Sequence, residues 1–135
     1  MKPLRVLFMA LAAIVILITI SGCSSDVELG NWDAMKWKYS SKLAQSKEVP
    51  VEGADFEITC TNYGLFWIHQ VNDRYLETPE GWKGCDIEGV CQVSLKHNVM
   101  HVIIEPNTTD STRTITIDVS AGDVFDYFKW AQPSK

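Results

Sequence analysis

The sequence predicts an all-β fold, an immunoglobulin-like antiparallel β-sandwich of about seven to nine strands. Three observations carry this. From residue 34 onward, apolar residues recur at every second position in short runs, the period of a half-buried strand. Turn-forming clusters such as Asn62-Tyr63-Gly64, His97-Asn98 and Ala121-Gly122-Asp123 separate those runs. No stretch keeps a helical period over a useful length. About 100 residues suffice for one core and not for two.

The elements follow in order. In 35-MKWKYS-40, Met35, Trp37 and Tyr39 share one face and Lys36 and Lys38 the other. Pro50, in 47-KEVPVEG-53, suits an edge strand or a switch between sheets, because it cannot donate to a ladder. Phe56, Ile58 and Cys60 form the apolar face of 54-ADFEITCTN-62. The run 65-LFWIHQV-71 is apolar on both faces, as a central strand buried on both sides would be.

The segment 91-CQVSLKHNVMHVIIEP-106 folds as a hairpin with its turn at His97-Asn98. Lys96 then faces Val99, Leu95 faces Met100, Val93 faces Val102 and Cys91 faces Ile104. One face becomes wholly apolar, and a one-residue slip destroys that segregation. A polar loop, 107-NTTDST-112, leads to 113-RTITIDVS-120, where Ile115, Ile117 and Val119 point one way. The run 124-VFDYFKWAQ-132 closes the domain.

The N-terminal residues bear on compartment. Lys2 and Arg5 precede the apolar run Val6 to Ile20, which at 15 residues is short of the roughly 20 that a membrane span needs. It fits the core of a secretory signal. The run passes into 20-ISGC-23, an aliphatic residue, two small ones and cysteine, the lipobox of bacterial lipoprotein precursors. The expected division is a signal peptide over 1–22, lipidated Cys23 with a polar tether over 23–33, and a domain over 34–135. Diacylglycerol on the cysteine sulfur, joined by an N-acyl chain, anchors the protein stably, where one chain binds only marginally. Ser24 and Ser25 resemble an outer-membrane sorting signal, and Asp26 and Glu28 a signal for surface export.

Without Lys2 and Arg5 the chain holds 10 basic and 17 acidic residues, a net charge of −7. That argues against nucleic acid and against an anionic membrane face as partners.

The runs 32-WDAMKWK-38, 49-VPVEGADFEITCTNYG-64 and 102-VIIEPNTTDSTRTITIDVSAGDVFDYFKWAQ-132 resemble the BACON domain, a family associated with Bacteroidetes and with carbohydrate binding. Asn107, Arg113 and Gln132 sit where that family tends to carry an Asn, an Arg and a Gln. The likeness is one of pattern and order. It implies an immunoglobulin-like fold and a glycan ligand, and it supplies no fixed set of sugar-contacting residues.

A sugar site needs aromatic faces for stacking, with amides and carboxylates beside them for hydroxyls. Trp37, Trp67 and Trp130 fall on strands and are expected to pack. Trp82 lies in the loop 78-TPEGWKGCDIEGVC-91 between glycines, which makes it the first candidate contact, with Tyr75 the second. Lipidation of Cys23 leaves Cys60, Cys85 and Cys91. A Cys85–Cys91 bridge would staple the base of that loop for roughly 2 kcal/mol. A Cys60–Cys91 bridge across the sheet is the other pairing. In 110-DST-112, Ser111 matches the short O-glycosylation signal of the same bacterial group.

Catalysis finds no support. His69, His97 and His101 do not converge in the predicted hairpin, and no phosphate loop, nucleophile elbow or metal-spaced ligand set is present. The expectation is a non-enzymatic protein without cofactor or metal, held at the outer membrane by lipid. It binds a glycan, or serves as an accessory or spacer bound to another envelope protein. Replacing Cys23 with Ala is expected to abolish fatty-acid incorporation and leave the uncleaved precursor, read by metabolic labelling with a palmitate analogue.

Overall fold

The structure, a computed structural model, describes residues 32–135 apart from Pro79. Cys23, the signal peptide and residues 23–31 of the tether lie outside the described residues. Ala34–Lys135 forms one unit built almost wholly of strands. The strands are β1 (Trp37–Tyr39), β2 (Ala54–Cys60), β3 (Trp67–Val71), β4 (Arg74–Tyr75) and β5 (Gly84–Ile87). They continue as β6 (Cys91–Lys96), β7 (Val99–Ile104), β8 (Arg113–Ala121) and β9 (Val124–Gln132). One short helix, α1 (Lys42–Gln45), follows β1 and buries Ala44.

Two sheets face each other, a five-stranded one ordered β1-β2-β7-β6-β5 and a four-stranded one ordered β4-β3-β8-β9. All strand pairs are antiparallel. Setting β4 and β5 aside leaves β1-β2-β7-β6 over β3-β8-β9, the order of the immunoglobulin constant-type sandwich. The fold is therefore the immunoglobulin-like β-sandwich that the period-two pattern predicts.

The β6–β7 hairpin has the predicted register, with Lys96 opposite Val99, Leu95 opposite Met100, Val93 opposite Val102 and Cys91 opposite Ile104. His97 turns the chain with φ of 57°. The inner faces are also those expected: Phe56, Ile58 and Cys60 on β2, and Ile115, Ile117 and Val119 on β8, are buried. Trp130 is buried against Phe56 at 5.2 Å and Phe128 at 5.9 Å. Its indole N–H donates to the Ala44 carbonyl at 3.1 Å, so the ring's polar end is satisfied.

Pro50 marks a switch between sheets. Glu48 bridges Ala131 of β9 in parallel, with Val49 N–H donating to Ala131 and Ala131 N–H donating to Lys47. The chain then turns at Gly53 and enters β2 in the other sheet. Gly53 has φ of 98°, and a Cβ there would lie 2.2 Å from the Ile104 carbonyl oxygen, so only glycine fits.

Three polar side chains clamp this end of the sandwich. Gln132, buried at the end of β9, donates to the carbonyls of Glu105 (2.9 Å), Pro50 (3.1 Å) and Val51 (3.4 Å) and accepts from Arg113 Nε at 2.7 Å. The guanidinium also donates to Gly89 and Glu105, each at 2.9 Å. Asn107, buried, donates to Ser111 (2.9 Å) and Pro133 (3.0 Å) and accepts from Thr109 N–H at 3.1 Å. Gln132→Ala strips partners from four groups at once. It is expected to cost about 3 kcal/mol and to lower Tm by more than about 10 °C, because unpaired buried polar groups cost about 1–3 kcal/mol each and are not additive. Thr114→Ala, on the exposed face of β8, is expected to stay within about 0.5 kcal/mol; calorimetric melting of both variants compares them.

Candidate functional site

The outer face of the four-stranded sheet carries the aromatic side chains that the core leaves out. On β8 the residues that alternate with buried Ile115, Ile117, Val119 and Ala121, namely Thr116, Asp118 and Ser120, stand on the outer face. The β8–β9 register places Ser120 opposite Phe125 and Asp118 opposite Tyr127. Phe125 is 72 % exposed and Tyr127 66 %. Both stand on a rigid strand, not on a loop.

On β3 the ladder slips between Ile68 and Gln70. Ile68 pairs with Val119 and Gln70 with Asp118, so His69 is the extra residue of a β-bulge. The bulge brings the His69 and Gln70 side chains out together. His69 Nε2 hydrogen-bonds the Ser120 hydroxyl. Trp67, opposite Ser120, shares this face and is half-buried. Tyr75 of β4 is opposite Gln70 and is 70 % exposed.

Trp82 sits on a 3-10 turn, Gly81–Lys83, rather than in an open loop. Its indole N–H donates to the Leu76 carbonyl at 2.7 Å. Its ring meets Trp67 edge-on at 6.5 Å and His69 at 6.1 Å. His69 in turn lies 6.3 Å from Phe125. Trp67, Trp82, His69 and Phe125 thus form one continuous run of rings across the sheet. Beside it lies a shallow groove of about 420 Å³ lined by His69, Asp118, Val119, Phe125, Asp126 and Tyr127.

The groove is acidic. Asp126 accepts from Trp37 Nε1 and from Tyr127 N–H, each at 2.8 Å. It also raises the Tyr39 phenol pKa above its usual value, after burial, which is the larger cause. Asp118, half-buried, makes no side-chain hydrogen bond or ion pair among the described residues. Its oxygens are left for solvent or a ligand.

Several sequence expectations change here. Trp67 faces outward on β3 and not into packing, and β3 is buried on one face only. Trp37 packs as expected, 5.2 Å from Phe66 and 4.8 Å from Phe128. Residues 84–87, read as loop, are β5 and pair with β6. The expected Cys85–Cys91 bridge is not formed, and Cys60, Cys85 and Cys91 are free thiols. Cys85 lies opposite Val93 and Cys91 opposite Ile87. The two are diagonal neighbours, and diagonal positions sit about 7–8 Å apart, beyond unstrained disulfide reach. A Cys60–Cys91 bridge is further out of reach. Cys60 is level with Asn98 and Cys91 with Ile104, about 20 Å apart along the strands. Ser111 is exposed, with its carbonyl held by Asn107 and Thr109.

Sequence reasoning missed Phe125 and Tyr127. The signal was present: extending β8 and β9 back from the Gly122-Asp123 turn gives this register, as it does for β6–β7. The position of His69 depends on a bulge that no local residue announces.

The fold and this face define an immunoglobulin-like β-sandwich module with an aromatic outer sheet. It is similar to a solved structure of a protein from Bacteroides thetaiotaomicron, with 34 % identity and a TM-score of 0.66 over 78 % of this chain and 92 % of that one. The chain belongs to the same family as that protein. No protein-family model matches the chain, and no curated protein does.

The thiols give a check on the packing. Burial, and secondarily the Cys85 thiol, push the Cys91 pKa up to about 11. At pH 8 only about a thousandth of Cys91 is thiolate, the reactive form. Half-buried Cys85 is expected to take up maleimide in the native protein, with Cys60 and Cys91 reacting only on unfolding. The raised pKa has a second consequence. Below pH 9 the thiol is neutral in both states, and between about 9 and 11 the unfolded chain deprotonates first. The Cys91 contribution to stability is therefore lost as pH rises through that window, and Cys91→Val is expected to flatten the Tm-against-pH curve there.

Proposed function

We propose that this protein is a lipid-anchored envelope protein whose domain is a non-enzymatic glycan-binding module. The observation that carries the reading is the outer face of the four-stranded sheet. It sets the exposed rings of Tyr75, Phe125 and Tyr127 around the unpartnered Asp118 carboxylate. Sugar rings offer C–H faces to aromatic rings and hydroxyls to carboxylates and amides, and this face supplies both chemistries side by side. The resemblance to the BACON domain points the same way. The lipobox at Cys23 and the serines after it support an outer-membrane site, open to the cell surface. The net charge of −7, with 10 basic and 17 acidic residues after loss of Lys2 and Arg5, supports a partner other than nucleic acid.

In this reading Tyr75 remains a contact, as the sequence suggested. Trp82 becomes a wall of the site, because its N–H is already engaged and its ring leans on Trp67 and His69. Phe125 and Tyr127 join as the principal stacking rings. Each stacked ring contributes about 0.5–1.5 kcal/mol.

Titration of the mature protein with host mucin glycans and plant polysaccharides, followed by tryptophan fluorescence, is the test. Saturable binding is expected, weakened about tenfold by Tyr127→Ala with Tm unchanged. Failure to bind any glycan would instead support an accessory protein that presents this face to another envelope protein, identified by crosslinking.

A further inference from the structure

We infer that the aromatic face takes an uncharged oligosaccharide laid across the strands, with its ends on Tyr75 and Tyr127 and its middle on Asp118. This rests on the glycan-binding reading and narrows it to a ligand class and a direction.

The direction comes from the register. Tyr75 pairs with Gln70, Gln70 with Asp118, and Asp118 with Tyr127, so the four form one row perpendicular to the strands. The row spans three inter-strand steps, about 14 Å, the length of a short oligosaccharide. Its ends are rings, 70 % and 66 % exposed. In the neighbouring row Trp67 and Ser120 are already covered, and only Phe125 stays exposed. His69 lies on Ser120, and Trp82 leans on Trp67 and His69. That row forms an aromatic wall. On the other side, Asn72 and Thr116 satisfy each other, Thr116 N–H donating to Asn72 Oδ1 at 2.8 Å, and form a polar wall. The lane between the walls is open.

The ligand class comes from the polarity of that lane. Gln70 donates one amide N–H to the Asn72 carbonyl at 2.7 Å, which leaves its oxygen and its second N–H. Asp118 offers acceptors only when ionised. The floor of the lane therefore offers more acceptors than donors, and sugar hydroxyls, which both donate and accept, answer it. Of the two carboxylates lining the groove, Asp118 lies in the lane, while Asp126, opposite buried Val119, turns its oxygens to Trp37 Nε1 and Tyr127 N–H. Lys129, opposite Thr116, is exposed on the same sheet face one row from Asp118 and lines an adjoining groove with Asp126 and Tyr127. A uronate, sialyl or sulfate group seated at the middle of the lane would meet the Asp118 carboxylate directly, with the nearest cation, Lys129, one row away.

The experiment uses the mature protein and calorimetry. The ligands are neutral linear oligosaccharides, from disaccharide to hexasaccharide, and the uronic-acid oligosaccharides of matching linkage. Affinity for the neutral series is expected to rise to about the tri- or tetrasaccharide and then level off, as the lane fills. Uronates are expected to bind at least about tenfold more weakly. Tyr75→Ala should weaken the longer ligands about fivefold and leave the disaccharide unchanged. Asp118→Asn should weaken neutral binding and narrow the gap to the uronates. All these positions lie outside the core, so unchanged Tm controls for folding. Uronates binding as well as neutral chains would overturn the charge selection. Loss of affinity in Phe125→Ala with none in Tyr75→Ala at any length would overturn the direction, placing the ligand along β9. Saccharide binding that no variant of this face alters would overturn the lane and leave the glycan function standing. Absence of any saccharide binding would sink both.

Discussion

Gln132 is the point at which the chain ties its two sheets together. It ends β9, yet its amide reaches the segment entering β2 and the exit of β7, and its oxygen holds Arg113 at the start of β8. Arg113 then carries the tie to Gly89, in the turn between β5 and β6. Every crossing of the chain at this end of the sandwich meets the pair. Hydrophobic burial drives the sheets together but is indifferent to register. A buried polar cluster is not indifferent, because each unmet donor or acceptor costs free energy. The clamp thereby selects one alignment of sheet on sheet from the many that an apolar interface permits.

That alignment determines what the outer face looks like. With Arg113 opposite Gln132, the β8–β9 ladder has no freedom to slip. Asp118 must then face Tyr127, and Ser120 must face Phe125. The β3 bulge adds the third component. Without it, strict alternation would set Ile68 and Val71, three residues apart, on opposite faces, and one of them would leave the core. The bulge lets β3 keep Ile68 and Val71 buried while both His69 and Gln70 stand outside. The site is assembled from ladder geometry, and its stiffness follows from that origin. A ligand meeting it would lose little free energy in ordering loops.

How much of this was legible follows from which forces are local. The inner faces of β2, β6, β7 and β8 could be read because alternation and one turn fix them, and a slip would bury charge. The β6–β7 register came out pair by pair from that reasoning alone. Asn107, Arg113 and Gln132 were noticed through resemblance, but their convergence is tertiary, since residues 25 apart do not announce a contact at 3.4 Å. β9 was ambiguous because both its faces are aromatic, Phe128 and Trp130 on one and Phe125 and Tyr127 on the other. Only pairing with β8 decides which set is buried. β5 escaped notice because Gly84-Cys85-Asp86-Ile87 has weak strand propensity and forms by adding to an existing edge. The disulfide expectation failed for the same reason. Sequence spacing allowed a ring, but the β5–β6 register sets the two cysteines on a diagonal.

The exposed rings of β9 carry a cost that bears on their role. β9 is an edge strand, and an edge with large apolar side chains invites pairing with other chains. The fold takes visible measures against this. Glu48 and its neighbours cover the strand at Ala131. Asp126 turns its carboxylate onto the N–H of Tyr127, occupying a backbone donor that a foreign strand would need. Charged Lys129 stands exposed beside it. Replacing Phe125 and Tyr127 by polar residues would remove the hazard more simply and would leave the core untouched, since neither ring contributes to it. On the proposed glycan-binding reading, guarding the backbone of the edge while leaving its aromatic faces bare excludes strands and admits something flat. Stacking against a sugar ring needs the faces and makes no demand on the backbone, which is why the guarded edge and the open rings fit together in one reading.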